Sequence, residues 1–152
     1  MNLLKSIVLG GLVAGFLDGA DALIFTKVAL GFPPGRLLQY IASGLLGLPA
    51  FRGGWHTVAL GVSIHFSIAM VAAAVFCIAS TRIRTLTERP LLSGAAFGLV
   101  VYAFMHYVVL PLSALPKRTI PVTRLEIANL LFSHIFFVGM PIALAAKHTK
   151  SS

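Results

Sequence analysis

Five titratable side chains lie inside hydrophobic stretches of this sequence, and their residue types are those that bind protons or metal ions. They are Asp18, Asp21, His65, His106 and His134. An aspartate at the centre of a transmembrane helix costs about 2.5–3.5 kcal/mol on insertion scales, so such a residue usually faces other helices and has a partner there. Asp18 and Asp21 are separated by about 60° around a helix, so one partner or one aqueous cavity can serve both. Two carboxylates in such a site resist double ionisation, and a nearby imidazole can carry the balancing charge.

Two further polar residues, Glu126 and Asn129, extend this pattern into the last hydrophobic segment. They share a helical face with Ser133, and His134 borders that face. Counted from one side of the membrane, both aspartates and the first and last of the three histidines lie at similar depths, about 14–18 Å, whereas His106 is shallower. We therefore predict an ion- or proton-binding site in which the aspartates bind the proton or cation, the histidines share its charge and Glu126 lies at the entrance. Separate interhelical hydrogen bonds are the alternative.

The same residue types also occur in metal sites, haem sites and active sites. Imidazole and carboxylate groups suit zinc or iron, but no HxxxH or HxxE spacing defines a coordination geometry. Haem between two histidines requires a pair at matching depth. The sequence has no glycine-rich phosphate loop, no GxSxG and no Cys/His nucleophile pattern. We expect neither a catalytic residue nor a cofactor, and we keep a haem- or metal-binding membrane protein as an alternative.

The composition places these polar residues in a membrane protein. Hydrophobic residues make up 58% of the chain and charged residues 11%, and the mean hydropathy is +0.95; in soluble domains roughly a quarter of residues are charged. The formal net charge is +8. The basic residues, however, lie at the ends of apolar segments, where they anchor to lipid headgroups, and do not form the single basic face that nucleic-acid binding needs. We predict contact with the lipid bilayer and none with nucleic acid.

Four segments are long enough to cross a hydrocarbon core, which needs about 20 apolar helical residues. They cover approximately residues 6–30, 55–80, 91–110 and 123–146. The proline- and arginine-rich runs FPPG, STRIRTLTERP and PLSALPKRTIP end them. Lys5 and the small residues near Ala20 resemble a signal peptide, but the apolar stretch continues to Phe25, as in a permanent span. The prediction is a single membrane domain over residues 1–152, all-α, with four transmembrane helices in an up-down-up-down bundle.

The connection between the first two spans is too short to cross the membrane and too apolar for an ordinary aqueous loop. As a helix over about residues 34–47, it places its leucines and Ile41 on one face and Arg36, Gln39, Tyr40 and Ser43 on the other. This pattern predicts a short helix lying in the membrane interface, with a re-entrant segment as the alternative.

Glycines recur at helical spacing in three spans, as membrane helices require when their backbones approach closely. These positions are Gly11, Gly15 and Gly19, then Gly61, and then Gly94 and Gly98. Because His65 and His106 follow two of these rows at intervals of four residues, both histidines are predicted to lie in helix interfaces. A second hypothesis follows, in which the glycine faces dock another membrane protein or a second copy of the chain. The protein would then be a non-catalytic subunit or assembly partner, and its polar residues would serve only as interhelical hydrogen bonds.

The second half of the chain resembles the YagU-like family of bacterial inner-membrane proteins. The resemblance lies in HFSIAMVAAAVF, LLSGAAFGLVVYAFMHYVVLPLSALP and EIANLLFSHIFFV, and its most specific positions are His65, His106, Glu126 and His134. The family is largely uncharacterised, and its name has been associated with acid resistance. The resemblance implies a multi-pass protein of the bacterial cytoplasmic membrane with both termini in the cytoplasm. It supplies no catalytic residue, and the two aspartates do not fall on its pattern.

Charge alone does not orient the spans, because six basic residues are predicted on each side of the membrane. One side carries Lys5, Arg82, Arg84, Arg89, Lys147 and Lys150, and the other carries Lys27, Arg36, Arg52, Lys117, Arg118 and Arg124. The cytoplasmic placement of the termini therefore depends on the family resemblance.

Overall fold

The computed structural model describes residues 2–116 and 121–150, and within these ranges the regular structure is entirely helical. The first three helices are α1 (Leu3–Leu30), α2 (Pro34–Leu46) and α3 (Gly54–Arg82), with a 3-10 turn at Leu48–Arg52 between the last two. A short helix, α4 (Thr85–Glu88), precedes α5, which consists of Pro90–Phe104, a π-helical stretch at Met105–Val109 and a final turn at Leu110–Leu112. The last helix, α6, consists of Arg124–Ser133, a π-helical stretch at His134–Gly139 and Met140–Lys150.

Four helices in the described ranges are long and apolar enough to cross a membrane, which confirms the prediction of four such segments. They are Leu3–Leu30, Gly54–Arg82, Pro90–Leu112 and Arg124–His148. Their outer surfaces carry many exposed apolar side chains, such as Phe16 and Val71. A soluble monomer rarely exposes contiguous apolar area on this scale, whereas lipid-facing helices require it.

Local sequence sets the two ends of α1. At its start, the Asn2 side chain accepts a hydrogen bond from the Lys5 backbone N–H at 2.9 Å, as an N-cap residue does. At its end, Gly31 adopts a left-handed conformation with φ 72°, and the Phe32 N–H donates to the Thr26 carbonyl at 3.2 Å. Glycine takes this conformation without steric cost, which allows the chain to leave the helix before the prolines that follow.

The glycine row of α1 packs against α3. A Cβ added at Gly11 would lie 2.6 Å from Met70 Sδ, and one at Gly15 would lie 2.8 Å from the Phe66 ring. These distances are shorter than real Cβ contacts, so the glycines allow the two helices to approach. The contacted positions decrease along α3 as they increase along α1, so the two helices are antiparallel.

The glycine pair of α5 packs against α6 by direct backbone contact. A Cβ at Gly94 would lie 2.8 Å from the Gly139 carbonyl oxygen, and one at Gly98 would overlap the His134 carbonyl. Here also the order of contacts is reversed between the helices, so α5 and α6 are antiparallel. The glycines at 94 and 98 therefore act as the sequence suggested, but their partner surface includes Gly139, which stands outside any glycine repeat.

Gly61 faces α2, so this glycine serves a different interface from the α1 row. A Cβ at this position would overlap the Leu38 carbonyl. The short helix thus lies directly on α3, and Ala42 and Ser43 on α2 are fully buried. The buried apolar core lies elsewhere, among α1, α3 and α6, where Phe76, Cys77 and Ile142 have almost no exposed surface.

Candidate functional site

Four polar side chains meet between α1 and α6, and we call this group the α1–α6 polar contact. The Ser133 hydroxyl donates a hydrogen bond to Asp18 Oδ1 at 2.6 Å. The Asn129 side-chain amide donates to Asp21 Oδ2 at 2.9 Å. Each aspartate therefore has its own hydrogen-bond donor on the facing helix, and both donors are uncharged.

Helix geometry explains the pairing. Asp18 and Asp21 are separated by about one helical turn, as are Asn129 and Ser133, so each pair lies on one side of its helix. Because the lower-numbered aspartate contacts the higher-numbered partner, the helices are antiparallel at this point. Further along the same interface, a Cβ at Gly10 would lie 3.2 Å from the Ala145 Cβ. Small residues therefore hold α1 and α6 close enough for short polar side chains to meet.

The electrostatic surroundings of the two aspartates are unusual for carboxylates in an apolar helix. Within residues 2–116 and 121–148, neither carboxylate lies within ion-pair distance of a lysine, arginine or histidine. Both aspartates are partly buried, and Ser133 is only 3% exposed. A buried charge is normally paired or coordinated. Here an ionised form of either aspartate would be stabilised by a single neutral hydrogen bond.

His65 joins α1 to α3 and does not contact the aspartates. Its Nε2 lies 2.8 Å from the Gly15 carbonyl oxygen. Since a carbonyl oxygen only accepts hydrogen bonds, Nε2 must carry the proton. A Cβ at Gly19 would lie 3.0 Å from the same nitrogen, so the glycine leaves room for the imidazole. His65 therefore acts as an interhelical hydrogen-bond donor.

The other two predicted histidines meet around one tyrosine between α5 and α6, and we call Tyr102, His106 and His134 the α5–α6 aromatic contact. The Tyr102 and His106 rings are nearly parallel, with centroids 5.7 Å apart and planes at 13°. The His134 ring meets the same tyrosine edge-on at 5.7 Å and 80°. His134 Nδ1 lies 2.8 Å from the Leu130 carbonyl oxygen. Because that oxygen only accepts hydrogen bonds, Nδ1 carries a proton and donates it.

Both histidines of this contact lie in π-helical stretches. His106 belongs to Met105–Val109 and His134 opens His134–Gly139. Such stretches are rare and are frequently found at functional sites, because the extra residue in the turn changes the direction of side chains. On α6, Ser133 contacts α1 and the next residue, His134, contacts α5, so adjacent residues connect the helix to two different neighbours.

Glu126 lies in the first turn of α6 and caps that helix. Its side-chain Oε2 accepts from the Thr123 backbone N–H at 2.8 Å, while its own N–H donates to the Thr123 hydroxyl at 3.2 Å. This is a capping box, and Glu126 is only 5% exposed. The contacts give Glu126 a structural role at the start of the helix that presents Asn129 and Ser133. Its proposed place at the entrance to a site stays a prediction.

The structure brings together some of the sequence-predicted residues and separates others. Asp18, Asp21 and Asn129 meet in one contact, whereas the three histidines lie in two other interfaces, and no hydrogen bond or ion pair joins a histidine to an aspartate in the described ranges. In the same part of the chain, no three His, Cys, Asp or Glu side chains are placed to hold a metal ion.

Three residues that take part in these contacts are not among the sequence-predicted site residues. Ser133 has a usable signal, because it lies four residues after Asn129 on the same polar face. Tyr102 also has one, since it continues the spacing of Gly94 and Gly98 toward His106. Gly139 has no such signal in the sequence, because it is an isolated glycine. Its contact with Gly94 can be recognised only from the packing of α5 against α6.

Comparison of the chain with protein-family models, with curated proteins and with solved structures gives no match.

Proposed function

We propose that this chain is a multi-pass protein of the bacterial cytoplasmic membrane whose α1–α6 polar contact binds and releases protons. The binding would serve the movement of protons or a small solute across the membrane, or a response to acid. One observation carries the proposal: Asp18 and Asp21 lie in the interior of an apolar helix, and each has a neutral hydrogen-bond donor as its partner on α6.

The chemistry of these partners favours a site that changes its protonation state. Arginine or lysine would favour only the ionised carboxylate. A serine hydroxyl and an asparagine amide contain both a donor and an acceptor. Ser133 can donate to ionised Asp18, and it can accept from the same side chain when Asp18 is protonated. Asn129 can do the same for Asp21 by turning its amide through 180°. Both protonation states therefore keep a hydrogen bond without movement of the backbone.

The contacts also support an arrangement in the membrane. Since α1 is antiparallel to α3 and to α6, and α5 is antiparallel to α6, the contacts favour an up-down-up-down bundle, in which we place α2 at the interface or as a re-entrant segment. The resemblance of the second half of the chain to the YagU-like family favours cytoplasmic termini and a link to acid resistance. In this proposal the histidines contribute to helix packing, and the aspartates alone exchange protons.

Proton flux into liposomes containing the purified protein tests this proposal. The Asp18→Asn/Asp21→Asn double variant keeps the size and hydrogen-bonding ability of both side chains but removes their titration. We expect the unsubstituted protein to give a pH-gradient-driven flux and this variant to lose it. Glu88→Gln is the matched control, because Glu88 is an exposed acid in the short helix α4, outside the four apolar helices.

Two further measurements make the outcome decisive. Infrared difference spectra across a pH titration should contain a carboxyl C=O band that disappears in the double variant. If flux and spectrum are the same in both proteins, the aspartates do not exchange protons and the proposal is wrong. If, in addition, a stoichiometric membrane protein is recovered in mild detergent, the assembly-subunit hypothesis takes its place.

A further inference from the structure

A groove separate from the polar contact runs along the surface between the first half of α1 and the last part of α6. Its volume is about 350 Å³. It is lined by Leu9, Gly10, Val13, Pro141, Leu144 and Ala145, with His148 at one end. None of the residues proposed to exchange protons contributes to it.

Small residues form the groove. Gly10 has no side chain, and the Cβ of Ala145 opposite is close enough that a Cβ at Gly10 would lie 3.2 Å from it. Leu9, Val13 and Leu144 stand on either side and are 46%, 38% and 40% exposed. The result is an apolar channel with a closed floor and an open outer side.

The length of the groove decides what can fill it. On α6 it extends from Pro141 to His148, about 10 Å at the helical rise of 1.5 Å per residue. A transmembrane helix of a second copy would need a complementary face along most of about 30 Å of hydrocarbon. A flexible hydrocarbon chain needs only a short apolar channel that follows its direction, and it can bend away where the channel ends.

Basic residues occur at the end of the bundle where His148 lies. Exposed Lys5 lies one helical turn beyond Leu9, and α4 packs against the part of α6 that contains the groove. This end of the bundle also carries exposed arginines at the end of α3 and around α4, at Arg82, Arg84 and Arg89. Glu88 is the single acidic residue at this end within the described ranges. The charge here complements an anion.

We infer that the groove binds an acyl chain of an anionic phospholipid, whose phosphate lies between Lys5 and His148. Basic pockets between transmembrane helices bind anionic headgroups, and each lysine or arginine near the surface is worth about 1 kcal/mol of attraction. The apolar groove and the basic end are adjacent, as the two parts of such a lipid are. This inference does not depend on proton exchange by the aspartates.

Native mass spectrometry of the delipidated protein, titrated with phosphatidylglycerol and phosphatidylcholine of identical acyl chains, tests the inference. We expect one phosphatidylglycerol to bind at least about fivefold more tightly than one phosphatidylcholine. This ratio corresponds to the attraction of about 1 kcal/mol from a single basic residue. Lys5→Ala with His148→Ala should bring the two affinities together. Lys27→Ala, which removes an exposed basic residue at the opposite end of α1, is the control and should change the affinity for neither lipid.

The acyl-chain part of the inference has its own variants. Leu144→Trp and Val13→Phe place bulk into the groove from opposite walls, and each should weaken binding of both lipids. Circular dichroism of each variant confirms that it is folded, and either variant suffices if the other does not fold. Equal affinities for the two lipids in the unsubstituted protein, or unchanged binding in a folded groove variant, would overturn the inference. A dimer that forms in the absence of lipid and is lost on filling the groove would show that a second copy occupies it instead.

Discussion

The last helix makes two contacts of opposite character through adjacent residues. Toward α1, the Ser133 side chain donates to Asp18, so the helices meet through polar side chains. Toward α5, the backbone of His134 lies against Gly98, so at this position the helices meet through main-chain atoms. The first contact depends on hydrogen-bonding groups, and the second depends on the absence of a side chain at Gly98.

This difference predicts different sensitivities to substitution. Hydrogen bonds between transmembrane helices average about 0.6 kcal/mol and reach about 1.7 kcal/mol. Overpacking a close contact costs about 1–3 kcal/mol and occasionally more. The α5–α6 contact should therefore respond most strongly to added size, and the α1–α6 polar contact to lost polarity.

The largest effect is expected from Gly98→Ala. The new Cβ would overlap the His134 carbonyl and lie 2.8 Å from Ile135 Cα, so α5 and α6 must separate. We expect the free energy of unfolding in detergent to fall by about 3 kcal/mol, the upper end of the range for overpacking, because the obstructing atoms belong to the backbone. Ala96→Val on the exposed side of α5 is the control. Equal stability of the two variants would show that the backbone contact does not form.

A smaller effect is expected from Ser133→Ala, which removes the donor to Asp18. A double-mutant cycle with Asp18→Ala should give a coupling free energy of about 1 kcal/mol, within the range measured for transmembrane hydrogen bonds. Ser67→Ala serves as the control, because the Ser67 hydroxyl donates to the Ser63 carbonyl within α3. A cycle between Ser67 and Asp18 should give no coupling; equal coupling in both cycles would argue against a specific contact.

The aromatic part of the α5–α6 interface can be tested separately from its glycines. Tyr102→Leu removes the ring that contacts His106 and His134, and aromatic pairs of this kind contribute about 0.5–1.5 kcal/mol. We expect a loss of stability of about 1 kcal/mol and a smaller change for Tyr102→Phe, which keeps the ring. Imidazole nitrogen NMR signals should shift in Tyr102→Leu. The exposed Phe104 provides the control, as Phe104→Leu.

The smallest effect should come from the contact between α1 and α3, where a side chain meets a backbone group. His65→Leu removes the hydrogen bond to the Gly15 carbonyl and should lower stability by about 0.6 kcal/mol. His56→Leu, at an exposed histidine near the start of α3, is the comparison. In the unsubstituted protein, nitrogen NMR should show a proton on Nε2 of His65. An imidazole protonated on Nδ1 alone would contradict the contact.

The sequence was sufficient to predict the number and approximate extent of the apolar helices. Each prediction used a signal local in the chain: hydrophobic runs of spanning length, the FPPG break after α1, and the prolines after α5. The glycine rows of α1 and α5 were also predictable as packing faces, because their spacing lies within one helix. These features do not depend on which helices are neighbours.

The partners of each helix face could not be predicted, because helix depth does not determine rotation or neighbour. His65 and the aspartates lie at similar depths, but they do not meet. His65, on α3, contacts Gly15 on α1, whereas Asp18 and Asp21, also on α1, face α6. The π-helical stretches add to this difficulty, since no residue in His134–Gly139 marks the extra residue in the turn. Gly139 gains its significance only from that packing.

The π-helical stretch in α6 also sets the phase between the two halves of that helix. If this stretch formed an ordinary α-helix at unchanged length, the extra residue would no longer be held in a wider turn, and everything after it would be rotated by about 100° relative to Asn129 and Ser133. Gly139 would then turn away from Gly94, although no contacting residue had been substituted. The wider turn of this segment therefore determines that one helix can contact the carboxylates of α1 and the glycines of α5 at the same time.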